Sequence, residues 1–336
     1  MNRRIDWVDF AKGVGILLVI VGHGTGPGMI GSITHGIIFS FHMPLFFILS
    51  SYTFRYSHTE EEFFLSTKKA ARHLLIPFLL VAVIWILWSL ASDPAQAGSP
   101  EFWRQECLRI VLSSGSDLPF LDTVVPAFGK AWFFLALFAG RTAFDYLQMN
   151  CTPPATLILC WILSALGVLF GIMGYLPFSL DIALAVLPFF YFGLWLKKKD
   201  TEALFKKWFF PSAVIWLLTL WLVFPDYTKW TCMELAARRY PLYPICFATA
   251  AAGSVCLFRI SCLAEKTGRL ALPIRYLGKN SLYLLLVHCC DYIWRPIWYR
   301  DSSAILSAGL QILSDLIIFA CVMAAVSVIR RKKKQN

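Results

Sequence analysis

Lys12-Gly13-Val14-Gly15-Ile16-Leu17-Leu18-Val19-Ile20-Val21-Gly22-His23 sets a basic side chain and an imidazole eleven positions apart, with only glycine and aliphatic residues between them. An apolar run of this kind, continuing beyond His23 and followed by a second one, reads as a helix that crosses a membrane. Eleven residues of α-helix rise about 16 Å and make three turns plus about 20°, so Lys12 and His23 share a face. With Lys12 near one interface, His23 lies at mid-membrane or somewhat beyond. Gly24, Gly26, Pro27, Gly28 and Gly31 follow, and they predict that the helix breaks just past His23. Broken backbone inside a membrane needs protein or a water-filled cavity around it.

Outward from this segment the pattern repeats. The 336 residues are 58% hydrophobic and only 15% charged, against about 25% charged in soluble domains. Apolar stretches near 13–33, 35–54, 74–92, 127–148, 155–175, 177–196, 208–225, 242–260, 280–297 and 304–329 predict an all-α integral membrane protein, a bundle of about ten transmembrane helices. The longest connection runs from about Ser92 to Pro126, with an Asp93-Pro94-Ala95-Gln96 turn and a surface helix expected over 102–112. It is too short for an independent fold. The whole chain, 1–336, therefore reads as one membrane-embedded domain, with any active site built from helices and their loops.

A net charge of +11 would suit a nucleic-acid partner, but its distribution excludes that. Most of the lysines and arginines fall on alternate connections: Arg3, Arg4 and Lys12; Arg55 to Arg72; Lys197 to Lys207; Arg259 to Lys279; Arg330 to Lys334. That is the positive-inside pattern, with both termini expected in the cytoplasm and the basic clusters against membrane lipids. The first thirty residues are expected to be a true span, not a cleaved leader, because the charge alternation holds only if the first span is counted. Ten cysteines show no Cys-x-x-Cys pair and no zinc-ligand spacing. Inert thiols are expected, and no metal.

Ionisable groups inside a span are functional suspects. His42, in Phe41-His42-Met43-Pro44-Leu45-Phe46-Phe47, descends on the second span to a depth similar to that of His23, so two imidazoles could face one cavity reached past Lys12. Taken singly, Lys12 also fits a snorkelling anchor, and His42 a helix-to-helix hydrogen-bonding residue.

The block from Arg4-Ile5-Asp6-Trp7-Val8-Asp9-Phe10-Ala11-Lys12-Gly13 through Gly22-His23 to Phe41-His42-Met43-Pro44-Leu45-Phe46-Phe47-Ile48-Leu49-Ser50 resembles the opening of acyltransferase family three. Further on, Lys69-Ala70-Ala71-Arg72 before Leu74-Leu75-Ile76-Pro77 is similar to the family's basic-x-x-Arg motif. Trp132-Phe133-Phe134-Leu135 is similar to its Trp-Phe span, and Leu277-Gly278-Lys279-Asn280-Ser281-Leu282 to His288 to its late Gly-x-Asn-Ser-Leu and His block. One departure is Ser51, where the family usually has glycine.

The resemblance implies a membrane O-acetyltransferase that takes acetyl from cytoplasmic acetyl-CoA, the acyl-CoA donor, and places it on a hydroxyl of an envelope glycan or lipid-linked sugar acceptor. Its place would be the bacterial cytoplasmic membrane. In that reading His23 is the catalytic histidine, as general base or as acyl acceptor, and Lys12 is its basic partner. Asp9, one turn earlier, holds Lys12, and His42 orients His23 or the acceptor. Lys69 and Arg72, with Lys12, neutralise the phosphates of coenzyme A; inside anchors are the other reading of the pair. Trp132, Asn280, Ser281 and His288 are expected to contact the substrates, with packing and interhelical hydrogen bonds as the alternative. Two other functions use the same residues differently. In a small-solute transporter His23, His42 and Lys12 carry protons or solute, and in a sensor or structural subunit of a glycan assembly the histidines are dispensable.

Overall fold

The computed structural model describes residues 5–25, 29–120, 123–223, 233–298 and 303–335. In chain order its helices are α1 (Asp6–Gly24), α2 (Met29–Phe39), α3 (His42–Thr53), α4 (Glu60–Ser92), α5 (Pro100–Leu112), α6 (Trp132–Asn150), α7 (Pro153–Met173), α8 (Leu180–Ala185), α9 (Leu187–Lys197), α10 (Thr201–Val223), α11 (Ile245–Glu265), α12 (Leu272–Lys279), α13 (Ser281–Cys289), α14 (Arg295–Trp298) and α15 (Ala304–Gln335). Apart from one short hairpin, β1 (Leu118–Phe120) with β2 (Thr123–Val125) in antiparallel register, the regular structure of the described residues is helical, and the fold is all-α.

Among the described residues seven helical stretches are long and apolar enough to cross a membrane, or eight if α8 and α9, bent by 51°, count as one broken span. The protein is a multi-pass membrane protein. Two of the ten expected spans do not qualify. α6 is long enough, but Arg141, Thr142, Asp145 and Gln148 dilute it, and the segment expected over 280–297 is a short apolar helix that breaks up before α14. Helix bounds also move. α1 starts seven residues before the expected span, at Asp6, and the second span is interrupted between Phe39 and His42.

α15 shows most plainly why the solvent must be lipid. Ser307, Gln311 and Asp315, at i, i+4 and i+8, are fully buried (0%), whereas Leu313 and Ile317 are each 56% exposed. A soluble helix has the opposite arrangement. α4 repeats the point with Ile76, Leu79, Leu80, Val83 and Leu87 exposed along its second half. Its 33 residues make about 50 Å, well beyond a hydrocarbon core of about 30 Å. The excess is the polar first part from Glu60, where Thr59 Oγ1 accepts from Glu62 N at 3.2 Å and Glu62 accepts from His58 N at 2.9 Å, satisfying orphan donors of the first turn.

The chain divides into two compact units. Of the described residues, the first comprises those within 5–38 and 261–335. Here α1 lies against α12 with no side chain between them at two points. A Cβ on Gly278 would stand 1.7 Å from the Asp9 carbonyl oxygen, and one on Gly13 would stand 2.0 Å from that of Ile274. The glycine of the late motif is thus there for backbone contact. An Asp6–Arg275 ion pair closes the same interface at its polar end.

The second unit comprises the described residues within 39–223 and 233–260. Its core is aromatic: Phe47 meets Phe133 and Phe190 at 5.4 and 5.7 Å, and Phe189 stacks on Phe247 at 4.7 Å. Ser51, the departure from the family pattern, is fully buried there. Its hydroxyl donates to the Phe190 carbonyl and accepts from Tyr56 at 2.5 Å, which ties α3 to α9 where Gly193 lets them touch. The small residue therefore carries a polar link that glycine could not supply.

At one end of this unit the loops are held by a buried ion pair. Arg238 donates to Asp181 through Nε at 2.8 Å and Nη2 at 3.3 Å, and to Ser114 Oγ at 2.6 Å. Its guanidinium lies 5.2 Å from the Tyr175 ring centre. One residue, itself before α11, thereby joins the segment before β1 to the first turn of α8. The expected surface helix over 102–112 is α5, starting two residues earlier under a Ser99 cap. Glu106 fastens it, pairing with Arg109 at 2.8 Å and accepting from Trp85 Nε1 at 2.8 Å. Burial pushes the Glu106 carboxyl above the ordinary range, with Arg109 and Trp85 pulling the other way. Among the described residues no two cysteines are joined in a disulfide.

Candidate active site

The predicted break comes where the glycines place it. α1 is unbroken from Asp6 to Gly24 and ends as Thr25 Oγ1 donates to the Gly22 carbonyl at 3.2 Å. The end exposes His23, half-buried, in the last turn. Because the helix is continuous, Lys12 stands about 16 Å down its axis. Lys12 is half-buried, and Asp9, also half-buried, lies one turn earlier with its carbonyl beneath Gly278.

The imidazole that the first unit brings to His23 is His288. Their ring centres are 5.5 Å apart, tilted by 45°. His288 sits in the last turn of α13 and is fully buried, and its Nδ1 bonds Asp315 Oδ2 of α15 at 2.7 Å. Asp315 collects more donors: Trp294 Nε1 to Oδ1 at 3.2 Å, and Gln311 Nε2 to both oxygens at 3.1 Å. Asp291, a residue of the turn after α13, has a carboxylate oxygen 3.8 Å from the same His288 nitrogen.

These contacts fix the chemistry of the pair. The Asp315 carboxylate accepts from an indole, an amide and an imidazole, which occupies both of its oxygens. It holds the His288 proton on Nδ1 and leaves the lone pair on Nε2, since the tautomer of an imidazole follows the bond made by its other nitrogen. Two neighbouring imidazoles, one backed by a buried carboxylate, can accept a proton and stabilise the resulting cation.

The remaining candidates are placed as follows. Asn280 caps the join of α12 and α13, with Nδ2 donating to the Tyr276 carbonyl at 2.9 Å, and Ser281 beside it is half-buried. In the second unit, His42 opens α3 as a buried ring 4.6 Å from Phe39. Trp132 opens α6 with its indole packed on Gly115, where a Cβ would stand 2.9 Å away. Lys69 and Arg72 are exposed on the polar part of α4, just before its apolar stretch. Asp315, Gln311 and Trp294 were not expected from the sequence. A carboxylate inside the apolar stretch 304–329 is itself a signal, and Gln311 precedes it by one helical turn.

Comparison with known proteins agrees with the motif blocks. The model of the acyltransferase domain of acyltransferase family three matches residues 5–330. Nodulation protein NolL of Mesorhizobium japonicum is 27% identical over 190 residues, which is 54% of this chain and 43% of that protein. The chain thus matches less than half the length of that relative. No solved structure matches. With the family match running from α1 through α15 and both compact units, the chain belongs to acyltransferase family three.

Proposed function

We propose that this protein is a membrane acyltransferase that moves acetyl from cytoplasmic acetyl-CoA to a hydroxyl of an envelope glycan or lipid-linked sugar, at the outer face of a bacterial cytoplasmic membrane, with both termini inside. The observation that carries this reading is the linkage of His23 through His288 to the buried Asp315 carboxylate. His23 is the less buried imidazole and the one that meets substrate. As a base it takes the proton of the sugar hydroxyl while that oxygen attacks the thioester carbonyl, and it returns the proton to the departing thiolate of coenzyme A. As an acyl acceptor it carries the acetyl group first and releases it to the hydroxyl. In both routes a cation develops on His23, and Asp315 supplies the compensating charge through His288.

The test is the O-acetyl content of envelope glycans, by mass spectrometry, in cells lacking this gene and in the same cells carrying it again. Loss of one acetylated glycan and its return supports the reading and names the acceptor. An unchanged glycan profile overturns it, and dependence of solute uptake on the gene would then favour transport. A kinetic prediction concerns the donor. Lys69 and Arg72, as i, i+3 neighbours on exposed helix, suit coenzyme A phosphates, so replacing both with glutamine is expected to raise the KM for acetyl-CoA about tenfold and the acceptor KM far less. Equal constants would assign the pair to anchoring alone.

A further inference from the structure

α15 carries more polar machinery than its Asp315 uses. Ser307, Gln311 and Asp315 lie one above another, one turn apart, all fully buried. Gln311 spends its amide nitrogen on Asp315, 3.1 Å from each carboxylate oxygen. That fixes the amide, because the flipped form would set its oxygen against the carboxylate. The amide oxygen Oε1 and, one turn earlier, Ser307 Oγ are buried with no hydrogen-bond partner. A buried acceptor or hydroxyl left so costs free energy, and two on adjacent turns need a common explanation.

Gln311 lies beside the reacting centre, and Ser307 one turn before it on the same helix. Gly24, the residue after His23, is packed so closely that a Cβ there would stand 2.9 Å from Gln311 Cβ and 3.1 Å from Ala308 Cα. The glycine leaves room for the glutamine, whose amide then reaches the carboxylate that holds His288. An amide oxygen needs a donor, and a serine hydroxyl can give its proton to an acceptor. A hydroxyl does both, and so matches a sugar.

We infer that Ser307 and Gln311 recognise the acceptor: a second hydroxyl of the sugar, next to the one acylated, accepts from Ser307 Oγ and donates to Gln311 Oε1. This rests on the transferase reading above and adds to it the residues that select the acceptor. Sites that bond a substrate hydroxyl reject analogues lacking it strongly, because their own buried groups are then stranded. Specificity is thus placed on α15, one and two turns from the carboxylate that organises the base.

The full-length protein in lipid nanodiscs, given acetyl-CoA and the methyl glycosides of glucose, galactose and N-acetylglucosamine with their monodeoxy analogues, tests this. For the wild type, one deoxy position is expected to lower kcat/KM by about 10- to 100-fold. In Ser307→Ala and in Gln311→Met the penalty at that same position should shrink to about twofold or less, whatever either change does to overall rate. A penalty that persists in both variants overturns the assignment and leaves the transferase reading intact. Absence of acetyl transfer to every glycoside by the wild type overturns both.

Discussion

Replacing His23 with alanine is expected to abolish transfer, and replacing Asp315 with asparagine to lower turnover by about two to four orders of magnitude. The asparagine is nearly isosteric and keeps the packing of α15. Its amide, however, can donate to His288 Nδ1, which drives the imidazole proton to Nε2 and removes the lone pair on that side. The carboxylate's negative charge disappears with it, so the cation formed at His23 loses its compensation. The effect should therefore fall on kcat, with the KM for acetyl-CoA within about twofold of wild type. Asp315→Glu should recover part of the rate by restoring charge and acceptor. Steady-state kinetics on protein of matched folded yield checks this series. If Asp315→Asn keeps turnover within about threefold of wild type, the dyad is structural and His23 works without it.

The second large effect is expected on stability. Arg238→Met should cost about 3–5 kcal/mol, since it strands the fully buried Asp181 carboxylate and takes away a donor from Ser114. The loss would appear as a smaller fraction of monodisperse protein after heating in detergent. Removing both charges with Arg238→Met and Asp181→Leu should be milder than the single change, because no buried charge is left alone. If the single variant survives heating as the wild type does, Arg238 is an accessory to those loops and not their clasp.

The sequence made some of this architecture readable and hid the rest for physical reasons. The end of α1 at Gly24 followed from glycine and proline chemistry, which acts within a few residues. The bend between α8 and α9 and the break at Asn280 did not, because a hydropathy window smooths over short pieces of helix that are all apolar. α6 shows the reverse, since its charged residues serve tertiary contacts: Asp145 accepts from Ser57 N and Oγ at 2.9 and 2.8 Å. At the site, His23 and His288 were legible as histidines in spans. Their adjacency was not, for it depends on α1, α13 and α15 meeting across long stretches of chain. Asp315 stands alone in an apolar sequence, and its partner His288 is 27 residues away.

α15 also changes what conservative substitution means in this protein. Its Leu313 and Ile317, each more than half exposed, lie on the face turned to lipid, where greasy side chains are readily exchanged and an acid is costly to insert. At Ser307, Gln311 and Asp315 the preference is inverted, and leucine becomes the disruptive choice. A ranking of variants by hydrophobicity, sound for a water-soluble helix, would order the tolerated and the damaging changes along α15 backwards.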